Sequence, residues 1–216
     1  MDSQRKPLLY RLGHWGAELL LVFLGAYAAF WLTNYQQHRA DVRRHDQILG
    51  WLEERMKEGL ENTKEDAQKH DQQVAEFRRA LAAGEMPPLR PFSFTTDYSA
   101  SDMSSLLQSG GYEVLDLRTL TALRDLESTI RWGLDRMTHY QKLSDELIWP
   151  NLDQDISFFY DRATKQLRKR FADYPEILED TAKFFHDLEK AKRDLLTQIQ
   201  AERQKRRSRL REDGRF

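Results

Sequence analysis

The chain has no cysteine among its 216 residues. That excludes disulfides, thiolate metal sites and cysteine nucleophiles. Glycine and proline are scarce at 10 and 6 residues, too few turn formers for a turn-rich all-β fold. An excess of charge of either sign is missing too. Thirty-four basic residues meet 35 acidic ones for a formal net charge of -1, so no global electrostatic footprint points to nucleic acid. No glycine-rich phosphate loop, G-x-S-x-G elbow or Glu-x-x-His motif occurs, which removes the common signatures of nucleotide binding, serine hydrolysis and di-metal carboxylate chemistry. What is abundant is Leu, Ala, Glu, Lys, Arg and Gln, the residues that favour helix. The expected fold is all-α, and with charged residues at 32% most of it belongs in water.

One long hydrophobic run interrupts this polar chain. Leu19 to Tyr35 reads LLLVFLGAYAAFWLTNY without a charge. Extended back to Leu12 it is long enough to cross a bilayer core. Glu18 lies inside that window, where a carboxylate is tolerable only near an interface. Trp15, Tyr27, Trp31 and Tyr35 include side chains suited to the aromatic belts. A cleavable signal peptide is the rival reading, with Arg5, Lys6 and Arg11 as its basic region and Ala26-Tyr27-Ala28 as its cleavage site. Glu18 shortens the apolar core of such a peptide, and the run continues past Ala28. A retained anchor over residues 12–35 is therefore expected. Basic residues flank both ends; the almost acid-free N-terminal tail of residues 1–11 favours an N-inside, C-outside orientation. That places the C-terminal domain of a single-pass membrane protein outside the cytoplasm.

The anchor carries a pattern on one face. At 100° per residue, Gly25 falls about 20° short of two full turns from Glu18. Ala29 and Leu32 lie near the same line, and Gly25-x-x-x-Ala29 is a small-x-x-x-small pair that lets membrane helices approach closely. Glu18, Gly25, Ala29 and Leu32 are thus a candidate helix–helix interface. Glu18, Gly25, Ala29 and Asn34 also fit the spacing E-x6-G-x3-A-x4-N. In this the chain resembles an uncharacterised family of bacterial single-span membrane proteins, which usually has Trp where Tyr35 stands and Gly where Ala17 stands. Leu107-Gln108-Ser109-Gly110-Gly111, followed by Leu115 and Leu120, is similar to the helix, Ser-Gly turn and Leu-rich helix of that family. The resemblance covers roughly residues 5 to 130. It implies an anchored helical protein of a bacterial inner membrane, with its C-terminal domain in the periplasm, and no activity.

Beyond the anchor, residues 36–86 read as a long amphipathic stalk helix. Leu49, Leu52, Met56, Leu60, Thr63, Ala67, His70, Val74, Phe77 and Leu81 recur mostly at spacings of 3 and 4, a coiled-coil-like seam. Gly50 and Gly59 mark possible bends. Pro87, Pro88 and Pro91 end the helix and open a Pro/aromatic loop over residues 87–100 that packs Phe92 and Phe94 onto the body. A short helix from Met103 to Gln108, closed by Gly110-Gly111, leads into a bundle over residues 101–204. Its helices are expected at Leu117–Leu147, Leu152–Phe171 and Glu176 to about Leu210, with breaks at Trp149-Pro150 and Tyr174-Pro175. The expected architecture is an antiparallel bundle, ending in a basic tail over residues 205–216.

Candidate chemistry is thin. The pairs His45-Asp46, His70-Asp71 and His186-Asp187 suggest a metal centre only if they meet, and His45 and His70 lie about 37 Å apart along one helix. Asp153, Asp155 and Asp161 near Glu146 could hold a divalent ion, but helix-start electrostatics explains the first two. Ser104, Ser105, Ser109 and Ser144 sit in no nucleophile motif. Neither metal nor cofactor is expected, and the chain is not expected to be an enzyme. The C-terminal residues Arg203, Lys205, Arg206, Arg207, Arg209 and Arg211 form the strongest local charge bias and a candidate contact for anionic lipid. The runs Phe158-Phe159-Tyr160 and Phe184-Phe185 place rings on more than one helix face, for a core or for a partner surface.

These readings give a membrane-anchored helical interaction or scaffold module that assembles with itself or with a membrane-protein partner through its transmembrane and stalk helices. The alternative is a sensor-like ectodomain that binds a small ligand or protein partner between bundle helices.

Overall fold

The computed structural model describes residues 8–92 and 115–213, with side chains described over 19–92 and 115–208. The fold is all-α. Helix α1 spans Leu8–Ala82, α2 spans Leu117–Leu147 and α3 spans Tyr174–Asp213. Short 3-10 turns occupy Trp149–Asn151, Ile156–Phe158 and Lys169–Phe171. There is no named strand among the described residues, only an isolated bridge between Tyr160 and Leu167. The expected Met103–Gln108 helix, its Gly110-Gly111 cap and Phe94 lie outside the described residues.

The chain divides into two compact units, Met1–Gln47 and Ile48–Phe216. The division falls inside the segment expected as a stalk helix that also forms one wall of the bundle. From Ile48 onward that segment belongs to the bundle, because its apolar seam is covered by the chain's own later helices. Leu49, Leu52, Ala67 and Phe77 are buried, and Leu49 and Leu52 join one core with Leu126, Met137, Leu188 and Leu195.

Within the second unit α3 runs antiparallel to both other helices. Against α1, Arg203 pairs with Glu53, Lys192 reaches Gly59, His186 meets Asp71, and Tyr174 packs on Phe77. Against α2, Glu202 meets Thr119, while Asp180 meets Arg136 and Tyr140. The 48–82 part of α1 and α2 therefore point the same way. The end of α1 at Ala82 and the start of α2 at Leu117 therefore lie at opposite ends of the bundle.

The helix ends follow from local chemistry. Gly84 adopts φ +70°, and Gly84 and Glu85 donate their N–H groups to the carbonyls of Leu81 and Ala80, the paired bonds that close a helix on a left-handed glycine. Pro175 is the second residue of α3, where its missing N–H costs nothing. Asp116 precedes α2 but its side chain makes no cap. The cap comes from α3: the buried Glu202 carboxylate accepts the Asp116 N–H at 3.1 Å and the Thr119 hydroxyl at 2.7 Å. A negative group at a helix start is favoured by both the orphan N–H groups and the helix dipole.

The expected helix over Leu152–Phe171 does not form. Its residues fold as an irregular excursion with two 3-10 turns. Asp155 accepts the N–H of Ser157, and Asp161 accepts those of Ala163 and Thr164, so side-chain oxygens compete for the donors a helix needs. Lys165 takes φ 57° at the tip, and Arg168 donates to the carbonyls of Ser157 and Tyr160. The aromatics supply the rest of the reason. Phe159, Tyr160 and Phe171 are all buried with Tyr174, Phe77 and Leu89 in a second core; a helix would have turned some of these rings to solvent.

Candidate functional site

In the first unit the apolar run is open. Ten large hydrophobic side chains from Leu19 to Leu32 are 51–73% exposed. A Cβ added at Gly25 would meet nothing within 4 Å, and Ala29 and Leu32 are exposed. The candidate interface face is therefore uncovered over Gly25, Ala29 and Leu32. The Glu18 side chain lies outside the described residues. At the end of the run Trp31 and Tyr35 stack with centroids 5.7 Å apart, and the Arg39 guanidinium sits 4.7 Å over the Tyr35 ring. This ladder of indole, phenol and guanidinium has the chemistry of a membrane–water boundary. One helix in the described chain is long and apolar enough to cross a membrane.

The basic C-terminal residues divide into two groups. Arg203 is half-buried and paired with Glu53. Lys205 approaches Asp116 at 3.7 Å, and Arg206 bridges Glu202 at 3.0 Å and Asp116 at 3.8 Å. These three serve the bundle. Arg207 is exposed, and the side chains of Arg209 and Arg211 lie outside the described residues. The segment expected as a tail is helical through Asp213.

The other candidates also have structural work. His186 Nε2 reaches both Asp71 oxygens at 2.9 and 3.0 Å. The structure thus joins one member each of two His-Asp pairs across the bundle, on a half-exposed surface. Asp155 binds Arg162 at 2.7 Å, and its bonds to Ser157 and Arg162 hold its carboxyl well below the usual range. Among the described residues no group of three His, Cys, Asp or Glu is placed to hold a metal. Ser144 is buried and accepts the Phe92 N–H at 2.8 Å. Ser104, Ser105 and Ser109 lie outside the described residues.

The composition of one face of α1 did not announce a concavity of the second unit. A cleft of about 520 Å³ opens between α1, α3 and the strap of residues 86–92. His70 lies flat on Phe185 at its floor, ring centroids 4.7 Å apart and planes within 10°. Burial pushes the His70 imidazole below its ordinary pKa of 6.5, so the ring is neutral at pH 7. The strap is pinned by two phenols. Tyr174 accepts the Arg90 N–H at 2.9 Å and donates to the Arg90 carbonyl at 3.0 Å. Tyr160 donates to the Pro87 carbonyl at 2.7 Å. The only signal for this in the sequence is Pro87-Pro88-x-x-Pro91, which marks a stiff extended segment but not its tyrosine partners.

A smaller concavity of about 410 Å³ lies between α2 and the start of α3. Its Arg136 and Tyr140 both donate to Asp180, and Arg136 also lies 5.2 Å over the Trp132 ring. Its strongest polar groups are thus spent on one another.

No protein-family model, curated protein or solved structure matches the chain.

Proposed function

We propose that the chain is a membrane-anchored helical module, with residues 12–35 crossing the bilayer and also serving as an assembly helix, while the bundle from Ile48 onward stands in water. The observation that carries this reading is the uncovered apolar run. Burying a large apolar side chain is worth about 2 kcal/mol, so ten of them left in water forgo about 20 kcal/mol. That exceeds the whole net stability of an ordinary domain, about 5–15 kcal/mol. A bilayer core provides the missing cover, and the Trp31–Tyr35–Arg39 ladder suits its boundary.

Assembly rests on the open Gly25, Ala29 and Leu32 face, with Glu18 at its edge. The seam of the stalk is not available for it, being used within the chain. We read the membrane as a bacterial inner membrane with the bundle in the periplasm, in line with the N-terminal basic residues and the family resemblance. A lipid-contact role for the C-terminus rests on Arg207 with Arg209 and Arg211.

Alkaline carbonate extraction of membranes from expressing cells tests the anchor. The full chain is expected to stay in the membrane pellet, and a double change Leu21→Arg with Leu24→Arg to release it; release of the unmodified chain overturns the reading. The lack of cysteine makes an introduced thiol unique. Gln154→Cys, on an exposed turn, is expected to react with a membrane-impermeant maleimide in intact spheroplasts; labelling only after lysis reverses the orientation. Gly25→Ile is expected to abolish self-association in a membrane two-hybrid assay, and an unchanged signal removes the assembly role.

A further inference from the structure

We propose that Arg39 and Arg43, on the first unit just beyond the apolar run, bind the phosphate of an anionic phospholipid in the adjoining membrane leaflet. The proposal rests on the reading of residues 12–35 as a membrane anchor, and adds to it a lipid class and a site.

Trp31, Tyr35, Arg39 and Arg43 follow one another at intervals of four residues, a ribbon along one side of α1. The two rings stack with centroids 5.7 Å apart, and the Arg39 guanidinium lies 4.7 Å over the Tyr35 ring. Arg43 Nε donates to the Arg39 carbonyl at 3.4 Å. Both guanidiniums therefore reach back towards the apolar run. Helical geometry favours this, because each Cα–Cβ bond tilts towards the helix N-terminus.

Their depth suits a headgroup. The charge-free run ends at Tyr35, and Arg39 lies about 6 Å further along the helix axis. The headgroup layer is about 5–7 Å thick on each side of the hydrocarbon core. Arg39 stands in that layer, and Arg43, one turn beyond, leans back to it.

Their charge favours an anion. Among the described residues neither Arg39 nor Arg43 is paired with a carboxylate. Like charges four residues apart on a helix repel, and an aromatic ring offsets a guanidinium charge only in part. A phosphodiester between the two replaces that repulsion by charge-assisted bonds, which the guanidinium fork accepts in pairs. The neighbouring acids do not serve instead. Asp41 is about 160° round the helix from Arg39. Asp46 lies about 10 Å further from the apolar run than Arg39 and is itself partnered. A choline or ethanolamine headgroup brings a cation of its own, which two arginines repel; a glycerol headgroup brings none.

The test reconstitutes the full chain in phosphatidylcholine vesicles and compares spin-labelled phosphatidylglycerol with spin-labelled phosphatidylcholine at the protein boundary by electron spin resonance. Phosphatidylglycerol is expected to be preferred by about fivefold, inside the roughly thirtyfold that two basic residues at a membrane surface supply. Arg39→Gln with Arg43→Gln is expected to remove most of the preference while the chain still resists carbonate extraction. Lys64→Gln with Arg79→Gln takes the same charge from exposed positions of the second unit and is expected to leave the preference intact. Soluble glycerol phosphate is expected not to compete. A chain that stays in the membrane pellet yet shows no preference overturns the lipid site and leaves the anchor standing; release of the unmodified chain from the pellet overturns both. Preference that persists in the Arg39/Arg43 variant, equal loss in the Lys64/Arg79 variant, or displacement by soluble glycerol phosphate each overturns the site as well.

Discussion

The Phe184 ring of α3 occupies the space where any residue other than glycine at position 133 of α2 would carry its side chain. A Cβ built on Gly133 would lie 1.8 Å from Cε2 and 2.3 Å from Cδ2 of that ring. Phe184 is 1% exposed and the surrounding core is filled, so the ring has nowhere to go. Glycine inside a helix costs about 1 kcal/mol relative to alanine; here the contact with Phe184 more than offsets it. Gly133→Ala is expected to destabilise the bundle by about 3 kcal/mol, despite the better helix propensity of alanine. Urea unfolding followed by circular dichroism measures it. The double change Gly133→Ala with Phe184→Leu should recover part of the loss.

Glu202 caps α2 from α3. Glu202→Leu keeps the volume and leaves the Asp116 N–H and the Thr119 hydroxyl without their acceptor, at a cost of about 2–3 kcal/mol. The loss should be local before it is global. Amide hydrogen exchange is expected to accelerate over residues 116–121 more than over the middle of α2.

Lys192 gives the bundle a signature in alkaline solution. The residue is 7% exposed, and its ammonium donates to the Gly59 carbonyl at 2.9 Å and the Thr63 hydroxyl at 2.7 Å. Burial pulls its pKa from 10.5 down to about 8, against a smaller opposing pull from Asp66. Between those two values the unfolded chain holds a proton that the folded chain has shed, so stability rises with pH across that window. The full rise is at most about 3 kcal/mol. Burial raises the pKa of Tyr160, Tyr174 and Tyr140 above 10; the unfolded chain loses those protons first, so stability falls again at higher pH. Urea midpoints measured from pH 7 upward should peak between about pH 9 and 10. In Lys192→Met the rise should vanish and the fall remain.

The two phenols that hold the strap can be removed one oxygen at a time. Tyr174→Phe frees both backbone groups of Arg90, and Tyr160→Phe frees the Pro87 carbonyl. Each should cost about 1 kcal/mol. The sharper expectation is exchange of the Arg90 amide, faster by about tenfold in Tyr174→Phe and little changed in Tyr160→Phe. Equal acceleration in both would mean that the strap opens as one piece.

Low pH should expose the Glu53–Arg203 link. Bonds from Lys57, Arg203 and Gln200 hold the Glu53 carboxyl down at about 2, against a smaller opposing effect of burial. The stability this supplies is complete above the ordinary value of 4.5 and is lost as pH falls towards about 2. Glu53→Gln should therefore flatten the acid limb of the stability profile while losing about 1–2 kcal/mol at neutral pH.

Where the sequence was legible, a strong period made it so. The Leu117–Leu147 helix agrees at both ends, because nothing inside it competes with the helix. The seam from Leu49 to Phe77 is also apolar-in, as its spacing requires. The helix reads both as one wall of the bundle and as an assembly surface, because spacing alone does not distinguish a cover from the same chain from one in another copy; the cover is the chain's own. The Leu152–Phe171 error came from reading Ile156, Phe159, Ala163 and Leu167 as a helical stripe where two aspartates, Asp155 and Asp161, claim backbone donors. Gly50 and Gly59 read as bends, yet they are places where the Arg203 and Lys192 side chains come close, at 3.5 and 3.2 Å from an added Cβ. The cleft was hidden because its wall, floor and clamps come from segments that only the tertiary fold brings together.

The parallel course of α1 and α2 bears on how the molecule is made. The seam of α1 pairs with α3 at separations such as 101 residues for Arg78–Glu179 and 150 for Glu53–Arg203. Distant pairing slows folding. A chain emerging from a ribosome therefore displays Leu49, Leu52 and Phe77 without their cover until α3 has followed α1 out. During that interval neighbouring nascent chains compete for the vacant seam. The exchange of α3 between copies is the misfolded product this topology favours.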